Sequence, residues 1–177
     1  MRYFTSDPHF SHHNIIKFCN RPFATAEDMD RALIANWNKT VTDDDIVYCL
    51  GDFAMRTPKH FADRLKGKKI LVIGNHDNYS QVVGCFDEVH EKLQIEIGGN
   101  IVNLSHYPYK VNVGPYDKKF LHKMMEDDGN WLIHGHVHNS APKLVDKSIN
   151  ACVENWAYAP FSEEEVLKIM LDKQNAL

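Results

Sequence analysis

The chain has 177 residues, 44% hydrophobic and 25% charged, which is enough apolar material for a single globular domain over residues 1–177. A net charge of −4 and a pI near 6.2 disfavour a broad surface for long nucleic acid, and no apolar run has the length of a membrane span. Cys19, Cys49, Cys85 and Cys152 form no C-x-x-C pair, so reduced, mostly buried thiols in a cytoplasmic protein are expected.

Arg2 to Thr5 reads as a short strand from the outset, so no leader is expected. It ends in Asp7-Pro8-His9, where Pro8 stops the strand and biases Asp7 towards extended backbone, placing Asp7 and His9 on one side. Asp-Pro alone is equally an ordinary turn. A polar-aromatic loop with a helical turn through Asn14–Phe18 follows and carries His12, His13 and Arg21. Thr25 caps a helix running to about Asn38, with Asp28 three residues on and Met29, Leu33, Ile34 and Trp37 at helical spacing. Asp43-Asp44-Asp45 lacks the spaced ligands of a calcium loop and reads as a solvated turn.

Ile46 to Leu50 is a buried strand ending at Gly51-Asp52. Thr57-Pro58 opens a helix that Gly67 closes. Lys69 to Ile73 is another strand, ending at Gly74-Asn75-His76-Asp77. Leu93–Ile97 and Ile101–Ser105 alternate around Gly98-Gly99-Asn100 as a hairpin, and the second strand runs into His106. A helix is expected near Phe120–Met125. The strand Trp131-Leu132-Ile133 then delivers His134-Gly135-His136-Val137-His138. Gly135 allows a sharp turn, and extended alternation would set His136 and His138 on the same side. Lys143–Val145 and Ser148–Ala151 pair around Asp146-Lys147, and Ser162 caps a last helix with Val166, Ile169 and Met170 inward. Trp156, Tyr158 and Phe161 read as core, with a dimer contact as the alternative.

Five apolar strands thus end in Asp or His: at Asp7 and His9, Asp52, Asn75 and His76, His106, and His136 and His138. Ligands gather at the carboxyl ends of strands in α/β sheets, and neutral imidazole with carboxylate suits divalent transition metals.

Asp-x-His, Gly-Asp, Gly-Asn-His-Asp, a lone His and Gly-His-x-His, in that order from residue 7 to 138, resemble the calcineurin-like metallophosphoesterase family. The resemblance implies an α/β fold, a four-layer α-β-β-α sandwich of two mixed sheets. It assigns Asp7, His9, Asp52 and His138 to one metal and Asp52, Asn75, His106 and His136 to another, with Asp52 bridging. Manganese is the ion the family pattern favours; iron, nickel, cobalt or zinc suit the same ligands. Two divalent ions against two carboxylates leave net positive charge, to which a phosphate ester is the natural partner; the ions would also activate a water for in-line attack.

His76 matches the family histidine that protonates the leaving oxygen, which argues for a hydrolase. Where relatives read Gly-Asp-x-x-Asp-Arg, this chain has Gly51-Asp52-Phe53-Ala54-Met55-Arg56, so the carboxylate that would orient His76 is replaced by Met55. Arg56 fits either a phosphate oxygen or a surface salt bridge. His12 can touch substrate or metal, or serve as a cap. The loop carrying His12, His13, Asn14 and Arg21, and Tyr107-Pro108-Tyr109-Lys110, are expected to line the pocket, with Tyr107 and Tyr109 stacking on a base or shielding the site. The expected activity is hydrolysis of a small, nucleotide-like phosphodiester by a monomer or homodimer. A phosphomonoesterase, and a non-catalytic metal-holding interaction module, are the alternatives.

Overall fold

Short β-branched and aromatic runs supply the strands, and polar-flanked amphipathic stretches the helices. The computed structural model describes residues 1–110 and 115–175. In chain order the strands and α-helices are β1 (Arg2–Thr5), α1 (His13–Phe18), α2 (Ala26–Thr40), β2 (Ile46–Cys49), α3 (Pro58–Ala62), β3 (Lys68–Val72), α4 (Tyr79–Val82), β4 (Glu88–His90), β5 (Leu93–Ile97), β6 (Asn100–Ser105), β7 (Trp131–His134), β8 (Leu144–Val145), β9 (Ser148–Asn150), β10 (Phe161–Ser162) and α5 (Glu163–Asn175).

They build two five-stranded mixed sheets, ordered β10-β1-β2-β3-β4 and β5-β6-β7-β9-β8. β1 to β4 are parallel, as are β6, β7 and β9, while β10, β5 and β8 pair antiparallel at the edges. Period-two alternation sends Phe4, Tyr48, Leu50, Ile70 and Val72 between the sheets, against Val102, Leu104, Trp131, Ile133 and Ile149. The alternate residues Val47, Cys49 and Leu71 pack under Met29, Leu33, Ile34 and Trp37 of α2. On the far face of the second sheet, buried Asn103 donates to Tyr109 Oη and Asp128.

Thr25 Oγ1 accepts from the Asp28 amide as a cap, and Ser162 and Glu165 exchange hydrogen bonds at the head of α5, whose Val166 and Met170 join the inter-sheet core. Trp156 and Phe161 stack in that core with ring centroids 3.6 Å apart. All four cysteines are free. Among the described residues no helix is long and apolar enough to cross a membrane.

Two expected helices differ. Thr57 is left-handed (φ 47°) and makes no side-chain cap, and α3 ends at Ala62 instead of continuing to Gly67. The segment expected to be helical near Phe120–Met125 instead follows a 3-10 helix over Pro115–Phe120.

Candidate metal centre

The parallel strands deliver the predicted residues to one place. Past its carboxyl end β1 stays zipped to the β2 loop through Asp7 N to Gly51 O (3.0 Å) and His9 N to Asp52 O (3.1 Å). From the second sheet, Gly135 N donates to His106 O at 3.0 Å and ties the β7 loop to the end of β6. The close approach explains two glycines. A Cβ on Gly135 would collide with Ser6 Oγ and Asp7 Oδ2, and one on Gly74 with the Asp52 carboxylate. Gly135 is therefore needed for space between the sheets, not for a left-handed turn.

The backbone corrects the extended geometry expected for these residues. Asp7, His9, Asp52, His136 and His138 all have positive φ, between 46° and 71°. Left-handed backbone at non-glycine residues carries strain that the surrounding structure must hold in place. His136 and His138 therefore converge through left-handed turns, not strand alternation.

Asp7, His9, Asp52 and His106 are each 2% exposed or less. Asp7 Oδ2 accepts from Ser6 Oγ (2.5 Å), the His136 amide (2.9 Å) and Cys152 Sγ (3.3 Å). Its other oxygen, Oδ1, lies 3.6 Å from both His9 Nε2 and His138 Nε2. Asp52 Oδ2 is 3.5 Å from His9 Nε2 and 3.7 Å from His106 Nε2, and His106 Nε2 is 3.2 Å from Asn75 Oδ1. The His136 ring lies 5.1 Å from that of His106, between centroids.

Outer contacts fix the orientation of these rings. His106 Nδ1 meets Leu50 O at 2.7 Å and His138 Nδ1 meets Glu154 Oε1 at 3.0 Å, which turns both Nε2 atoms to the cluster. Glu154 also takes Arg21 Nη2 at 2.7 Å, and Arg21 donates to the Asp7 and Pro8 carbonyls. Arg21 is thus buried behind the cluster, not lining a pocket as expected. Tyr109 is buried too, bonded to Asn103 and Asp128, and is unavailable for stacking. Tyr107 packs on His106 and His136 with centroids at 4.9 Å.

These donors suit divalent cations. Asp7 Oδ1 and His9 Nε2 are buried without a hydrogen-bond partner, which is costly unless something else binds them. Bonds of about 2.1 Å place neighbouring ligand atoms about 3.0–3.4 Å apart, close to the separations here. The charge balance agrees. Burial opposes ionisation of Asp7, but His106, His138 and His9 hold its carboxyl well below the usual range. Burial and the Asp7 charge push Asp52 upwards. Burial opposes protonation of His138, yet Asp7, Cys19 and Glu154 raise it to about 11, so without an ion a proton takes the positive place. Burial lowers His9 to about 3, leaving a neutral imidazole. Asp7, Asp52 and His106 form one candidate ion-holding group, and His138 falls in others with Cys152, or with Cys19 and Glu154. Burial raises the Cys152 thiol well above its ordinary value, so it serves as a donor to Asp7 and not as a thiolate ligand.

The outer face is open. The His76 side chain is 44% exposed, with Nε2 3.9 Å from Asp52 Oδ2 and its amide donating to Asp52 Oδ1 at 2.8 Å. No ring hydrogen bond reaches it among the described residues, and Met55 is 40% exposed. His12 Nδ1 lies 3.2 Å from His9 Nδ1 and its ring 6.2 Å from that of His76. His13 and Arg56 are exposed. Two residues given no role above stand out. Asp77 accepts from the amides of Asp52, Phe53 and Gly74, locking two ligand loops together. Glu154 braces His138; a lone Glu that belongs to no ligand motif offers no sequence signal for that.

Residues 4–153 match the family model for the calcineurin-like phosphoesterase superfamily domain, and the chain belongs to that superfamily, whose phosphoester hydrolases are typically metal-dependent. It is 36% identical over 182 residues to the uncharacterized protein MJ1445 of Methanocaldococcus jannaschii, covering 95% of this chain and 90% of that protein. It is 31% identical over 175 residues to the gene 66 protein of Mycobacterium phage L5, covering 84% and 81%. The crystal structure of AQ665, a protein of unknown function from Aquifex aeolicus, superposes with a TM-score of 0.76 at 31% identity, covering 96% of this chain and 98% of that one.

Proposed function

We propose that this chain is a cytoplasmic, dinuclear-metal phosphodiesterase that hydrolyses a small, nucleotide-like phosphodiester. The observation that carries the reading is the pair of buried, unbonded atoms Asp7 Oδ1 and His9 Nε2, 3.6 Å apart and next to Asp52 Oδ2. In this reading Asp7, His9, Asp52 and His138 hold one divalent ion, manganese by preference. Asp52, Asn75, His106 and His136 would hold the second, with Asp52 common to both. Bound there, the ions supply Lewis-acid charge for the phosphoryl oxygens and a lowered pKa for water.

The chain's own groups do the rest. Asn75 contributes a neutral oxygen, which keeps the centre net positive towards an anionic ester. His76 stands over the outer side of Asp52 and gives its proton to the leaving oxygen. His12, whose ring lies 6.2 Å from that of His76, contacts the ester in this reading, and Arg56, four residues after Asp52, is assigned the same role.

The test uses metal-stripped protein with manganese restored, bis-p-nitrophenyl phosphate as diester and p-nitrophenyl phosphate as monoester. Manganese-dependent hydrolysis faster on the diester is expected, and on a dinucleotide, whose alkoxide leaving group needs the proton that p-nitrophenolate does not, kcat should fall about 100-fold in His76→Ala while bound metal stays unchanged. Faster monoester cleavage would assign a phosphomonoesterase. Two bound ions without turnover would assign an interaction module, the outcome that the unbraced His76 ring would favour.

A further inference from the structure

We propose that the cleft running from Tyr107 to Lys123, beside the metal centre, binds a flat ring and a second phosphate on the leaving side of the substrate. The substrate class is then a short nucleotide diester bearing a terminal phosphate. This rests on the phosphodiesterase reading and narrows it.

The cleft has a volume of about 550 Å³ and is lined by no ligand itself, but by Tyr107 and Asp77, which adjoin ligand residues. Tyr107 lies there, packed on His106 and His136, and so does Asp77, the residue after His76. The same loop continues from His76 through Asp77 to Tyr79, which is 60% exposed and also lines the cleft. His76 itself does not line the cleft, its ring lying 5.5 Å from that of His9, so a leaving group would reach this wall by crossing the His76–Asp77 turn. Tyr79, with the half-buried Ile73 and Val89, offers an apolar and aromatic surface for a ring, and stacking of bases on aromatics is tolerant of sequence.

Lys92, His122 and Lys123 also line the cleft. Both lysines are exposed, and neither ammonium has a salt bridge or hydrogen bond among the described residues. The acidic groups lining the cleft do not neutralise them. Asp77 spends both carboxylate oxygens on the amides of Asp52, Phe53 and Gly74, and Glu91 forms no ion pair with either lysine. His90 is engaged by Glu88 at 3.0 Å. Two unpaired ammonium groups in a partly apolar cleft match an anion carried on the same ligand as the ring. A bare dialkyl or diaryl phosphate leaves them unused.

The experiment compares a dinucleotide carrying a terminal phosphate on its leaving nucleoside with the same dinucleotide lacking it, and with bis-p-nitrophenyl phosphate. Wild-type protein and the Lys92→Ala/Lys123→Ala double variant are assayed with manganese. Binding of the terminally phosphorylated dinucleotide to metal-free protein is measured in parallel by calorimetry. The expected result is a KM about tenfold lower for the phosphorylated dinucleotide in wild type. That advantage should vanish in the double variant and at high salt, while bis-p-nitrophenyl phosphate turnover stays unchanged. Equal KM values for both dinucleotides, or an advantage that survives the double variant, would overturn the cleft assignment and leave the phosphodiesterase intact. Lysine-dependent binding with no diester turnover in any metal would overturn the phosphodiesterase reading alone. Loss of both would overturn both.

Discussion

On the inner face of the ligand cluster, Asp7, His9 and His106 are almost fully buried, and outer partners hold their orientation: Ser6 and Cys152 on Asp7, the Leu50 carbonyl on His106, Glu154 on His138. On the outer face, the His76 ring is half exposed and has no hydrogen bond among the described residues. The inner groups are set by the fold before any ligand arrives, whereas the outer ones gain their contacts only from substrate. Rigid placement suits groups that hold ions, since sites are only as accurate as the shell supporting them. An open, adaptable donor suits a group that must meet a departing oxygen.

The sharpest way to break this division is Asp52→Asn, which weakens the carboxylate next to His9, His106 and His76 at once. Manganese-dependent diester hydrolysis should drop by roughly 1000-fold, with loss of a bound ion by elemental analysis. Unchanged metal content would show that Asp52 does not serve both halves. Next comes Asp77→Ala, which strands the amides of Asp52, Phe53 and Gly74. A loss of about 2–3 kcal/mol in stability, read from the urea midpoint, is expected for donors left unpaired. No loss would mean that the two ligand loops hold each other without it.

Glu154→Gln keeps an acceptor for Arg21 while removing the charge behind His138. Calorimetry should show metal affinity about 10- to 100-fold weaker, and the metal-free midpoint should fall as well, because Arg21 and protonated His138 lose a buried countercharge. The last test concerns pH. Burial lowers His134 to about 4 and His9 to about 3 from an ordinary 6.5, so the unfolded chain takes up protons that the fold refuses. Metal-free protein should therefore lose stability as pH falls from about 6.5 towards 4, and His134→Asn should flatten that slope by about one proton's share. His138 works in the other window: its pKa near 11 gives a benefit complete below 6.5 and lost as pH rises towards 11. An unchanged acid slope in His134→Asn would remove His134 from the account.

The strand ends were legible because each apolar run is stopped by a proline, a glycine or the first polar ligand. Parallel pairing then leaves little choice about where Asp7, Asp52, Asn75, His106 and His136 go. What the sequence hides is set by tertiary contact. Asp7 and His9 read as extended on either side of Pro8, yet both are left-handed, because the amide bonds to Gly51 and Asp52 dictate their path. α4 and β4 are four and three residues long, too short for a periodic signal. Thr57-Pro58 looks like a helix cap, but the left-handed Thr57 points its side chain elsewhere. Arg21 and Tyr109, polar and in loops, looked like pocket residues; both are buried because their hydrogen-bonding groups find partners inside.

The cluster draws its side chains from both sheets: Asp7, His9, Asp52 and Asn75 from loops of the first, His106, His136 and His138 from the second. Ions seated there would act as rivets across the sandwich, so ion supply would govern how firmly its halves are joined. By mass action, free ion at 100 times its dissociation constant adds about 2.7 kcal/mol to the folded state. A centre suited to breaking phosphate esters would then also register metal scarcity, through a chain that loosens as the ions leave.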